Sequence, residues 1–440
     1  MTHPFLPTDD ALRKELHNEV HARPSARVRL PALIVYVAVL NEGITREEEC
    51  LHLRALPGHE LLTQEQIQGN FLRLRCDGFT VKWERHTEFT RYTIIQSLPT
   101  QAVWGKGWPE LASAVATGTG WLRKIPGKTV AAIHLAMLTE QIESPNWLKH
   151  AQEWLGEGTI IGSRMGNIAD SPSHSVLLTN LRINKDGFER MLVLAPAETP
   201  EGRAGRISQR VLELETYRLM ALRGLPIAKQ LAAALAQSEN SLADITARLE
   251  SKKESDETLL DDLVALAAQV ERATAEHGYR FSATRAYHAI VQERIAELRE
   301  RPITGTQTVS EFMQRRLAPA MATVAATSQR MAALSERITR TSALLRTRVD
   351  IAAEVHNQQL LEKLTRGQAL QLKLQSTVEG LSIAAISYYV VSLILYLGKA
   401  LKATGLAVHP EILAGAMTPF VLWIVWKTVQ RIHASLHTKE

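Results

Sequence analysis

The stretch Gly380 to Gly398 (GLSIAAISYYVVSLILYLG) runs for 19 residues without a charge, and nothing else in the chain restricts its fold so severely. As an α-helix it would measure about 28 Å at ~1.5 Å per residue, against a bilayer hydrocarbon core of about 30 Å. It therefore reads as a membrane span. Tyr388 and Tyr389 stand near its middle rather than at an interfacial belt, so their hydroxyls are expected to face a neighbouring helix. Ile412 to Trp426 supplies that neighbour with 15 uncharged residues, Pro419 among them. Trp423 and Trp426 beside Lys427 and Arg431 make an interfacial anchor, and the 13 residues Lys399 to Glu411 suit a tight connection. The sequence thus predicts a transmembrane hairpin: a first span over 380–398, a loop over 399–411, a second span over 412–430 and a tail over 431–440.

Basic residues near the spans set their orientation, because basic flanks are retained in the cytoplasm. Lys363, Arg366 and Lys373 precede the first span and Lys427, Arg431 and Lys439 follow the second, whereas the connecting loop holds Lys399 and Lys402. Both termini are expected inside a bacterial cell membrane. Met1 to Arg13 shows no basic start followed by an apolar run, so a secretory signal is not expected. Two cysteines, Cys50 and Cys76, are too few for a disulfide framework and lack Cys-x-x-Cys spacing, as buried thiols in a reducing compartment would. The net charge of +5 is spread among acids rather than gathered into a tract, which argues against nucleic acid as a partner.

The 440 residues exceed one ordinary core. Up to about residue 197 the chain reads as an α/β domain. Arg27 to Leu40 is almost wholly apolar from Leu30 onward, the pattern of a strand covered on both faces. Asn70 to Arg75, Phe79 to Arg85 and Phe89 to Ser97 read as an antiparallel meander, its first turn at Asp77-Gly78. Thr129 to Leu138 is a further core strand, Asn146 to Leu155 a helix, and Gly158 to Arg164, Ser175 to Ile183 and Phe188 to Leu194 resume the sheet. After Pro200 the composition turns to Ala, Leu, Glu, Arg and Gln, and strands are expected to end. Helices follow from about Arg206 to Gly224, from Glu257 to Glu300, and from near Thr308 onward. The last is free of Gly and Pro between Pro319 and Gly367 and leads into the first span; Ala320 to Leu397 as one helix would reach about 115 Å. Such a rod calls for lateral partners. The fold class is thus α+β: an α/β domain with a mixed, partly antiparallel sheet over 1–197, long stalk helices of coiled-coil type over 198–379, then the hairpin.

Two polar clusters are candidate sites. A first helix from Thr8 or Asp9 would end at Arg23-Pro24 and place His17 and His21 one turn apart, with Asn18, Glu19 and Arg23 alongside. In Glu84-Arg85-His86-Thr87-Glu88, extended backbone would put Glu84, His86 and Glu88 on one face and Arg85 on the other; a turn at this point would dissolve that face. Convergence of His17, His21 and His86 would make a polar or metal-binding site, whereas surface and hairpin-end roles need no convergence. Gly127-Lys128-Thr129 resembles the end of a phosphate loop, but Leu122 stands where its first glycine is required. No serine-nucleophile motif, dinucleotide fingerprint or zinc ribbon is present, so no cofactor or metal is named and an enzyme is the less favoured class.

The strings Leu16-His17-Asn18-Glu19-Val20-His21-Ala22-Arg23-Pro24, Lys82-Trp83-Glu84-Arg85-His86-Thr87-Glu88-Phe89, Glu213-Leu214-Glu215-Thr216-Tyr217-Arg218, Leu344-Leu345-Arg346-Thr347-Arg348-Val349-Asp350 and Thr377-Val378-Glu379-Gly380-Leu381-Ser382 carry a resemblance over nearly the whole length. The chain resembles a bacterial family of uncharacterised membrane-anchored proteins, defined as a domain of unknown function. That resemblance implies a carboxy-terminal anchor and brings no activity. The order of parts is similar to that of the CorA magnesium channels, but their Gly-Met-Asn signature is missing: Gly398 is followed by Lys399-Ala400. The expected role is a cytoplasm-facing scaffold or regulatory protein that forms homo-oligomers in the bilayer and takes a protein or ligand partner. A channel-like oligomer and a metal-dependent enzyme are the alternatives.

Overall fold

The computed structural model describes residues 9–14, 16–17, 24–98, 117–139, 147–166, 174–251, 254–403 and 409–437. The chain divides into two compact units, Met1–Arg340 and Thr341–Glu440.

The first unit is organised by one sheet. Its strands are β1 (Ala32–Leu40), β2 (Phe71–Cys76), β3 (Phe79–Arg85), β4 (Phe89–Ser97), β5 (Lys128–Thr139), β6 (Ile161–Met165), β7 (Ser175–Ile183), β8 (Glu189–Ala195) and β9 (Glu300–Pro302). They lie in the order β2-β3-β4-β1-β5-β8-β7-β6-β9. Every neighbouring pair is antiparallel except β5 with β8, so the sheet is mixed, as expected. The run Leu30 to Leu40 is apolar throughout because successive residues of β1 enter opposite cores. Ile34, Tyr36 and Ala38 join one, and Leu33, Val35 and Val37 the other. Ladder pairing starts at Ala32 rather than Arg27, after Pro31, which has no N–H to give.

Short helices α1 (Arg46–Arg54), α2 (Thr119–Arg123) and α3 (Trp147–Leu155) cover the second core with Cys50, Leu53, Trp121, Ala151 and Leu155. A capping box between Thr45 and Glu48 fixes the start of α1. Both cysteines are free, Cys50 buried and Cys76 half-buried.

The long helices are α4 (Glu201–Leu222), α5 (Gly224–Ser251), α6 (Asp256–Leu298), α7 (Val309–Ala403) and α8 (Pro410–His437), of which α4, α6 and α7 cover the first core. Ile207, Val211 and Leu214 of α4, Val291 and Leu298 of α6 and Val309, Met313 and Leu317 of α7 pack with β1, β5 and β8. The first unit accordingly continues through Arg340. At the break before α5 the helices approach closely: a Cβ on Gly224 would meet the Thr284 hydroxyl of α6 at 2.4 Å. Pro226 sits in the first turn of α5, where its missing N–H costs nothing.

Strands do not end at residue 197. Glu300-Arg301-Pro302, between α6 and α7, pairs antiparallel with Met165, Arg164 and Ser163 of β6. The segment lacks apolar alternation, but β6 has an open edge to fill. The same junction fixes the start of α7. Ser163 Oγ accepts from the Val309 N–H, Glu300 Oε2 accepts from the Ser310 N–H, and Thr308 and Glu311 form a second capping box.

In its first part α7 buries Met313, Leu317, Met321, Val324, Thr327, Met331, Leu334 and Ile338 at three- and four-residue spacing. Arg330 of α7 pairs with Glu239 of α5 at 2.7 Å. Within the second unit, every residue from 351 to 378 is exposed. Among the described residues, three helical stretches are long and apolar enough to cross a membrane by length and composition: Glu201–Ser251, Val309–Ala403 and Pro410–Arg431. In the first, the α4 part packs on the sheet and carries buried Glu213 and Glu215. The apolar windows of the other two are 6% and 11% buried. α7 and α8 touch where Gly398 meets Pro410, the Cβ position of Gly398 lying 3.2 Å from Pro410 Cα.

Candidate functional site

Of the amino-terminal candidates, His17 lies exposed in a helical turn, while Asn18, Glu19, His21 and Arg23 fall outside the described residues. The second cluster is fully described. β3 ends at Arg85 and β4 begins at Phe89, so residues 86–88 turn and the shared face of Glu84, His86 and Glu88 does not form. Arg85 reaches Glu49 of α1 at 2.6 Å, and Thr90 donates to the same carboxylate at 2.6 Å. The His86 ring stacks on Phe89 with centroids 4.5 Å apart, and Glu88 pairs with Arg280 of α6.

Glu84 turns inward and begins the most extensive polar feature of the unit. It lies directly across the ladder from Arg91, which approaches it to 2.5 Å, and Lys82 lies 3.0 Å away on its own strand. Arg91 then contacts Glu213 of α4 at 3.2 Å. Glu213 also accepts from Arg294 of α6 at 2.8 Å and from Gln209 at 2.8 Å. Arg294 reaches Glu297 at 3.0 Å, and Glu297 meets Arg210 of α4 at 3.2 Å. The chain of charges therefore runs from β3 and β4, near one edge of the sheet, across α4, to the carboxyl end of α6. Burial alone would raise the Glu84 pKa, but Arg91 and Lys82 hold its carboxyl below the usual range; burial depresses Lys82. Close by, the buried Tyr36 hydroxyl lies 2.7 Å from Thr216 Oγ1, and Tyr217 and Tyr287 stack beside Phe89.

A second buried group lies along α4. Glu189 of β8 faces Glu215, whose carboxylate accepts from Arg218 Nε at 2.8 Å. Burial, and then the charge of Glu215, push Glu189 up from 4.5 to about 9, so it holds a proton at neutral pH. The folded chain keeps this proton, whereas the unfolded chain loses it near 4.5. Stability should therefore fall as pH rises across that window, by up to ~1.4 kcal/mol per pH unit. Glu189→Gln is expected to match the parent at pH 4, where both carry a neutral side chain, and to exceed it at pH 8. Urea midpoints at the two pH values check this, and parallel profiles would refute it.

The charge chain ends at a cavity of about 460 Å³. Arg203, Arg206 and Arg210 line it from one side of α4 at i, i+3 and i+7, and Glu297, Leu298 and Arg299 from the end of α6. Arg299 caps α6 in the left-handed conformation, φ 47° and ψ 57°. Arg210 is paired with Glu297; Arg203, Arg206 and Arg299 have no carboxylate partner among the described residues. The spacing of the α4 arginines is visible in EGRAGRISQR, but Arg299 and Glu297 come together with them only through the fold. Among the described residues no group of three or more His, Cys, Asp or Glu side chains is placed to hold a metal.

Over residues 8–436 the chain matches the family described as protein of unknown function (DUF3422). The chain belongs to that family. Comparison with curated proteins and with solved structures returned no match. The family description assigns no activity.

Proposed function

We propose that the chain is a membrane-anchored regulatory or scaffold protein, its sheet-bearing unit and both termini in the bacterial cytoplasm, that self-associates along α7. The observation that carries this is the uncovered apolar surface of the second unit: windows of mean hydropathy 1.9 in α7 and 1.6 in α8 with little of either buried. Apolar surface of that extent calls for lipid or protein around it. The basic residues flanking the spans favour the cytoplasmic orientation. Leu360, Leu361, Leu364, Leu370, Leu372 and Leu374, all exposed, precede the first span and offer a surface to a second copy. A pore finds less support. Ser387 is already buried within the single chain, and the Thr418 hydroxyl donates to its own helix at Ala414.

The full-length protein should remain in the membrane pellet through an alkaline carbonate wash, dissolve in detergent, and give a mass above one copy after the micelle is subtracted. Tyr389→Arg, which places a charge near the centre of the first span, should cost about 2.5–3.5 kcal/mol of insertion and shift the protein out of the pellet. Release of the parent protein by carbonate would refute the anchor, and a monomeric mass would refute self-association.

A further inference from the structure

We propose that the cavity between α4 and the end of α6 binds a small organic molecule bearing two phosphoryl groups. The site is independent of the membrane assignment. Arg203, Arg206 and Arg299 bring three guanidinium charges to one cavity and meet no carboxylate among the described residues, because Glu297 is held by Arg210 and Arg294. Arg203 and Arg206 also occupy the first two turns of α4, where a cation opposes the helix dipole. Like charges gathered against a dipole cost stability, and a chain that keeps them there departs from its own local preferences, as binding sites do.

A Cβ on Gly166 would lie 3.3 Å from Arg203 Nη2, so the glycine lets this guanidinium lie close to the main chain. Planar guanidinium forks match phosphoryl oxygens in bidentate fashion, and each phosphoryl group carries a charge of about −1.5 to −2 near neutrality. Two such groups balance three arginines; one carboxylate does not. The volume of about 460 Å³ greatly exceeds what an inorganic anion fills and falls among the sizes of small-molecule sites. Met165, Ile207 and Leu298 provide an apolar wall for the organic part.

The test is calorimetric titration of the full-length protein in a neutral detergent with inorganic pyrophosphate. Orthophosphate, sulfate and micelles doped with an anionic phospholipid serve as separate arms. Pyrophosphate should bind more tightly than orthophosphate or sulfate, and more weakly as salt rises. Arg203→Gln and Arg299→Gln should each weaken it about tenfold, the weight of one charge-assisted hydrogen-bond pair. Arg285→Gln, an exposed arginine elsewhere on α6, should leave binding unchanged. Arg299 is exposed and Arg203 half-buried, and an unchanged urea midpoint for each variant shows that the loss is one of binding and not of fold. No heat with pyrophosphate, equal binding by the cavity variants, or binding confined to the lipid-doped micelles would each overturn the proposal.

Discussion

Arg91→Met should lower the stability of the sheet-bearing unit by about 3–5 kcal/mol, the range seen when one member of a buried ion pair is removed. Arg91 is 3% exposed and stands between Glu84 and Glu213, which are 1% and 5% exposed. Without it both carboxylates lose a partner, and although Lys82 and Arg294 remain, neither reaches both. Methionine fills much of the volume, so the loss reports charge rather than a cavity. Arg91→Lys should fall between the two, since an ammonium is a point charge and cannot present a fork to two carboxylates. Urea unfolding followed by tryptophan fluorescence, with Trp83 fully buried on the adjacent strand, provides the measurement. A difference below about 0.5 kcal/mol for Arg91→Met would show that the network contributes nothing beyond its packing.

Gly205→Ala should also destabilise, by about 2 kcal/mol or more, although alanine is the better helix former by about 1 kcal/mol. Its Cβ would fall 1.6 Å from the Ala26 carbonyl oxygen and 2.8 Å from the carbonyl carbon, and neither backbone atom can swing aside. α4 would have to lift from the segment that leads into β1, disturbing a contact also held by the Val28 N–H donating to the Glu201 carbonyl. Gly202→Ala, one turn earlier, meets nothing closer than 3.7 Å and should stay within about 0.5 kcal/mol of the parent. Equal melting temperatures for the two variants would refute the close approach of α4.

The sheet was readable where periodicity and turn chemistry agree. β1 announced two-sided burial, and the β2–β3 hairpin announced its turn through Asp77-Gly78, where Gly78 adopts φ 78°. What escaped was tertiary in origin. β9 is three residues without an apolar pattern, recruited because β6 offered an unpaired edge. α4 reads as the start of a stalk, since the same apolar spacing serves a helix lying on a sheet and one lying in a bundle. Glu84 has other neighbours than its strand spacing suggests. A face shared with His86 and Glu88 requires the strand to continue past Arg85, whereas its real partners, Arg91 and Glu213, come from the next strand and from a helix 122 residues beyond Arg91. The cavity arginines are half legible: three fall on one helical face, and the fourth arrives from the end of α6.

The strand β9 also has a mechanical meaning. It is the last element before α7, tied to β6 through three residue pairs and to the first turn of α7 through Ser163 and Glu300. A pull along α7 would reach this short staple once the buried face from Ile338 back to Val309 had come away, and edge pairs of an antiparallel sheet can be peeled one after another. Detaching it would bare β6 and free the carboxyl end of α6, where Glu297 and Arg299 line the cavity. The seam is thus the last hold of the sheet on the chain that enters α7, three residue pairs long.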